Sequence, residues 1–157
     1  MTRRAVFAGA SVRREDSSKR GVSGIALPFD EVFRSPFGSY RERFLPGSLK
    51  RWNRMVLNFQ HDSGRLLAGD PGDLEVTFGQ KSISYRATLP ETRLADETLA
   101  LIDSGAISGA SIEFVSKRSE LVDGVRVVTD GSLFGIGLVS HPAYQRTSAE
   151  RRYLYGV

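Results

Sequence analysis

Two alternating segments joined by a short turn constrain this chain more than any other feature. Leu74, Val76 and Phe78 alternate with Glu75 and Thr77; after Gly79-Gln80, Ile83, Tyr85, Ala87 and Leu89 alternate with Ser82, Ser84, Arg86 and Thr88. A period of two on both sides of a glycine-containing turn marks a β-hairpin with one buried face. A second hairpin is expected over residues 120–128, where Asp123-Gly124 suits a two-residue turn. Gly21 to Phe29 and Ser132 to Val139 are further strand candidates, and the polar run Arg13 to Gly21 reads as a loop. Helix signals are few. Thr92 to Ser104 carries Ala95, Leu99 and Ile102 at i, i+4 and i+7, with Gly105 as the stop. A shorter helix is expected from Pro46 through Leu49 and Trp52. The fold class is therefore mostly β with a few α-helices, and the strand count favours a closed or nearly closed β-barrel over a βαβ layer.

At 157 residues the chain is expected to be one domain, 1–157, whose core needs no covalent staples. Its ends are basic and expected to be flexible, over about 1–20 and 146–157. There is no cysteine, which excludes disulfides, thiolate metal ligands and thiol catalysis. No apolar run approaches the roughly 18 residues of a membrane span. Met1 to Phe7 has two Arg but no sustained apolar stretch after them, so neither membrane nor secretion is expected and a cytosolic setting follows. The net charge is +4, with Arg3, Arg4, Arg13, Arg14, Lys19 and Arg20 at one end and Arg146, Arg151 and Arg152 at the other. Such clusters can meet nucleic acid, and a basic β-barrel that binds it is one reading. The plainer reading is solvated ends, because no aromatic-interleaved basic stripe accompanies them.

Chemistry concentrates in three places. Gly105-Ala106-Ile107-Ser108-Gly109-Ala110-Ser111-Ile112-Glu113-Phe114 sets a hydroxyl, Ser111, among small residues at the start of an apolar strand. An attacking serine needs such room for a substrate backbone, and main-chain N–H groups for an oxyanion. His61 ends the run Met55-Val56-Leu57-Asn58-Phe59-Gln60-His61-Asp62, an apolar strand leading into a polar turn, where an imidazole can face a cleft. His141 follows the strand Gly137-Leu138-Val139-Ser140 and precedes Pro142. Taken singly, each has a blander alternative: a packed serine at a corner, a half-buried strand-edge histidine, a surface-turn histidine. No metal site is expected, since His61 and His141 lack a paired ligand motif and Asp62, Asp70 and Asp73 sit among turn-forming Gly and Pro. Gly135-Ile136-Gly137 lacks the rest of a dinucleotide fingerprint and there is no phosphate loop, so no cofactor is expected.

Five segments in order resemble the prohead (capsid maturation) protease family of HK97-like tailed phages, related to the herpesvirus assemblins. They are Gly24-Ile25-Ala26-Leu27-Pro28-Phe29-Asp30; Tyr40-Arg41-Glu42-Arg43-Phe44-Leu45-Pro46-Gly47-Ser48-Leu49; Asn58-Phe59-Gln60-His61-Asp62 with Leu67-Ala68-Gly69; Ile107-Ser108-Gly109-Ala110-Ser111-Ile112-Glu113-Phe114; and Leu138-Val139-Ser140-His141-Pro142-Ala143-Tyr144. The resemblance implies a serine endopeptidase on an assemblin-like β-barrel flanked by helices. It would cut scaffold, or the scaffold-like part of the major capsid protein, and itself, inside the immature capsid in the bacterial host cytoplasm. The capsid protein and its scaffold region are the implied partners, and a homodimer or higher oligomer the implied state.

By position, Ser111 matches the family's nucleophile and His61 its general base and acid. Many phage relatives carry a glutamate in the last strand, but Leu133-Phe134-Gly135-Ile136-Gly137 has Gly135 in its place. The assemblins resemble Ser-His-His enzymes, so His141 is the implied orienting residue, with Glu113 and Asp130 as alternatives. The chain is also short for the family, as a compact or self-trimmed form would be. The vacant acid position leaves open a non-catalytic capsid assembly module of the same fold. Ser111's own N–H and that of a neighbouring glycine are the natural oxyanion donors.

Overall fold

In a computed structural model, which describes residues 3–6, 10–16, 19–34 and 41–140, eleven strands and one helix follow one another among the described residues. They are β1 (Arg3–Val6), β2 (Arg13–Arg14), β3 (Gly21–Pro28), β4 (Phe33–Arg34), β5 (Arg41–Phe44), β6 (Leu49–Phe59), β7 (Asp62–Gly69), β8 (Leu74–Phe78), β9 (Ser82–Thr88), α1 (Arg93–Asp103), β10 (Ile107–Val122) and β11 (Val125–Ser140). At 3–6 and at 34 the description extends to the backbone alone.

The two expected hairpins form. β8 and β9 pair antiparallel from Leu74↔Ala87 to Phe78↔Ile83, and their alternation buries Leu74, Val76, Ile83, Tyr85 and Ala87. The second hairpin is far longer than its turn signal suggested. β10 and β11 pair along their whole length around Asp123 (φ 50°) and Gly124 (φ 78°), the paired left-handed residues of a twist-matched hairpin turn. Thr92 caps α1, accepting from the Ala95 N–H at 3.1 Å, and Gly105 beyond its end adopts φ 83°.

β11 organises the larger sheet. β10 runs antiparallel along one flank; the other flank is filled first by β5 (Val125↔Arg41 to Val128↔Phe44) and then by β6 (Gly131↔Leu49 to Leu138↔Phe59), both parallel. β1 pairs the far side of β10, β4 pairs β5, and β7 pairs β6. The smaller sheet runs β2-β3-β9-β8. One apolar cluster draws on both sheets and on α1, including Val22, Leu27, Ile83 and Leu89 with Leu57, Ile112, Ile136, Leu138, Leu99 and Ile102. Phe44 and Phe114 meet edge to face in it, with centroids 4.9 Å apart, a contact worth about 0.5–1.5 kcal/mol beyond its area.

Three expectations change. The helix read from Pro46 through Trp52 is a turn followed by β6: Gly47 takes φ 77°, the Ser48 N–H closes on the Leu45 carbonyl, and β11 claims the backbone from Leu49 on. Pairing with a central strand outweighs the weak local helix pattern. The few α-helices reduce to one among the described residues. Nor do the described strands close into a barrel: they form two separate sheets that seal the core between them. Finally, part of the Arg13–Gly21 segment is β2. Arg14 pairs with Asp103 at 2.8 Å and Arg20 with Asp96 at 2.7 Å, tying this stretch to α1.

Candidate active site

The strand register brings distant residues into line. Asn58 on β6, Gly137 on β11 and Ser111 on β10 are successive ladder partners, and one step along, Val56, Gly135 and Glu113 make a parallel row. Ser111 and Glu113, two apart on one strand, share a face. The core residues Leu57, Ile112 and Ile136 point the other way. Ser111, at 3 % exposed, and Asn58, at 1 %, are nonetheless buried.

His61 reaches this face from the β6–β7 turn. Gln60 (φ 54°) and His61 (φ 63°) form a two-residue turn with both residues left-handed, closing the Phe59↔Asp62 pair. The Gln60 N–H donates to the Leu138 carbonyl at 3.0 Å and the Gln60 side-chain amide to Ser140 Oγ at 3.3 Å, fastening the turn to the end of β11. The His61 N–H donates to Asn58 Oδ1 at 2.9 Å. The imidazole, 7 % exposed as a residue, sets Nδ1 3.0 Å from Glu113 Oε2. Glu113 Oε1 accepts from Asn58 Nδ2 at 3.1 Å.

Two glycines make the assembly possible. A Cβ on Gly137 would stand 2.9 Å from Cε1 and Nδ1 of His61 and 3.1 Å from Asn58 Oδ1; one on Gly135 would stand 2.7 Å from Glu113 Oε1. Side chains from β6, the turn and β10 therefore meet above a strip of β11 that has no side chains of its own. The imidazole lies over Gly137, and the Cβ positions of antiparallel partners such as Gly137 and Ser111 are about 4.5–5.5 Å apart.

Of the residues singled out in the sequence, His61 and Glu113 come together, and Ser111 is the ladder partner of Gly137, over which the imidazole lies. Asp130 does not: it is paired with Arg118 in the ladder and lies 3.9 Å from Lys50, five residues along β11 from Gly135. His141 lies outside the described residues. Ser111 pairs with Val6 on one side and Gly137 on the other. Its N–H therefore faces a neighbouring strand, as every inner-strand amide does. The position read as lacking its acid takes on a different meaning. Gly135 is the ladder partner of Glu113, whose carboxylate fills the space a side chain at Gly135 would need. Sequence reasoning passed over Asn58 and Gln60. The Gly-x-Gly spacing within β11 was the available signal, since glycines in a strand mark close approach of other groups.

No group of three or more His, Asp or Glu side chains suited to a metal occurs among the described residues, and no helix among them is long and apolar enough to cross a membrane. The sequence profile of the caudovirus prohead serine protease family matches residues 9–154. No match was found among curated proteins or among solved structures. The chain belongs to the caudovirus prohead serine protease family, and with it to the proteases of phage capsid maturation.

Proposed function

With that membership as premise, we propose that the chain is an active serine endopeptidase in which Ser111 attacks, His61 carries the proton and Glu113 orients His61. The observation that supports this best is the 3.0 Å approach of His61 Nδ1 to Glu113 Oε2, on the face where Ser111 stands one ladder position away. A carboxylate at Nδ1 favours the tautomer with its proton there, leaving Nε2 to accept from the Ser111 hydroxyl. As Ser111 Oγ bonds to the scissile carbonyl carbon, its proton passes to Nε2, and Glu113 stabilises the resulting imidazolium. The proton then goes to the departing amine as the C–N bond breaks. Water, activated by the same nitrogen, hydrolyses the acyl-enzyme and restores Ser111.

In this reading the third role goes to Glu113 rather than to His141 or Asp130. The non-catalytic assembly reading loses its main argument, because a carboxylate reaches His61 from the strand opposite Gly135. The substrates are the scaffold or the scaffold-like part of the major capsid protein, and the protease itself, cut inside the immature capsid in the host cytoplasm. An assemblin-like fold and a dimer or higher oligomer belong to the same proposal.

Fluorophosphonate labelling with peptide mapping tests it. Label on Ser111, absent from Ser111→Ala and from His61→Ala, is expected. An unlabelled wild-type chain that also leaves its own capsid protein uncut would return the assembly module to first place. Salt-sensitive DNA binding unaffected by Ser111→Ala would favour the nucleic-acid reading instead.

A further inference from the structure

One group gathered above the glycines takes no part in the proposed proton transfers. Asn58 is buried on β6 and spends both ends of its amide on the site: Oδ1 accepts from the His61 N–H at 2.9 Å, and Nδ2 donates to Glu113 Oε1 at 3.1 Å. We propose that Asn58 is a positioning residue that locks the His61 turn and the Glu113 carboxylate into one geometry. The proposal rests on the serine-protease reading only for its catalytic consequence.

The amide can point only one way. Exchanging its oxygen and nitrogen would set an NH2 group against the His61 N–H and a carbonyl oxygen against a carboxylate. Each bond fixes a different freedom. Gln60 and His61 both occupy left-handed backbone, which costs non-glycine residues about 1–2 kcal/mol each. An acceptor from residue 58 onto the N–H of residue 61 holds the turn in that form, as local side-chain acceptors commonly do in turns. The second bond sets the rotation of the carboxylate. With Oε1 tied to Asn58, Oε2 is the oxygen turned toward Nδ1, at 3.0 Å. A donor to a charged acceptor is the stronger kind of hydrogen bond and so a firm anchor.

Register explains why this residue can do both. Asn58 is the ladder partner of Gly137, and with no Cβ there or at Gly135 its amide can reach across β11 to a carboxylate on β10. A side chain on either glycine would stand in the path.

The test uses the full chain and two readouts. The first is the low-field proton resonance of His61 Nδ1–H, assigned by its disappearance in Glu113→Gln. The second is the rate of fluorophosphonate labelling at Ser111. Asn58→Asp keeps size and the acceptor for the His61 N–H but removes the donor and sets a second carboxylate against Glu113. Its resonance is expected to move or vanish and its labelling rate to fall about 10- to 100-fold, the worth of one hydrogen bond to a charged group. If Asn58→Asp does not fold by circular dichroism, Asn58→Ala is read in its place with the same expectation. A folded variant that keeps both the resonance and the labelling rate overturns the proposal. Should the wild type not label at all, the protease reading falls, and the resonance alone decides: lost in the variant, the positioning role stands; retained, it fails.

Discussion

Replacing Gly137 with alanine adds one methyl group at the point where the site is tightest. The new Cβ would lie 2.9 Å from Cε1 and Nδ1 of His61, about 0.6 Å inside the shortest comfortable separation for such atoms. The nearest atoms belong to His61 and Asn58 side chains, so the ring gives way before the backbone does. Moving the ring by that distance would spoil the 3.0 Å contact with Glu113 and shift the imidazole relative to Ser111. Displacements near 1 Å cost catalysis roughly 100-fold, whereas overpacking costs about 1–3 kcal/mol of stability. The expected result is a kcat/KM near 1 % of wild type from a chain that remains folded. Gly69→Ala is the control, since nothing lies within 4 Å of a Cβ there and its φ is ordinary. Labelling kinetics at Ser111, with urea melts on both variants, provide the assay. Wild-type labelling by a folded Gly137→Ala variant would refute the claim that the imidazole works from above this glycine.

Glu113→Gln should keep the fold and lower kcat by roughly 1,000- to 10,000-fold, as loss of the orienting carboxylate does elsewhere in Ser-His catalysis; steady-state peptide hydrolysis checks it, and full activity would hand the third role back to His141. Burial pushes the Tyr85 phenol far up from its ordinary value, and its hydroxyl donates to the Ser11 carbonyl at 2.6 Å. A raised folded pKa stabilises the fold fully below the unfolded value of about 10 and progressively less above it, so urea midpoints should fall as pH rises past about 10. Tyr85→Phe should flatten that fall at the expense of about 1 kcal/mol at neutral pH. Thr92→Ala, which removes the cap of α1, should destabilise the chain by about 1 kcal/mol in the same melts and leave labelling of Ser111 unchanged.

Much of the fold was legible because it is local. The Leu74–Leu89 alternation, the Asp123-Gly124 turn and the i, i+4, i+7 spacing from Ala95 each depend on neighbours within a few residues. The stretch from Pro46 misled for the opposite reason: its conformation is imposed by hydrogen bonds to β11, more than 80 residues away. The barrel expectation failed similarly, since whether sheet edges meet depends on the curvature of all the strands together.

The site divides along the same line. The chain by itself determined which groups are available: Ser111 in a segment of small residues, two histidines, no thiol, and a Ser-x-Glu pair that a strand must place on one face. What only the tertiary structure decided is which acid lies beside His61. Glu113 and Gly135 look unrelated in sequence, and a missing carboxylate at Gly135 looked like a lesion. Antiparallel pairing makes them partners, so the carboxylate arrives from β10 into the space that glycine leaves on β11. A strand register is fixed by the summed pairing and burial of whole strands, which no short window of sequence contains.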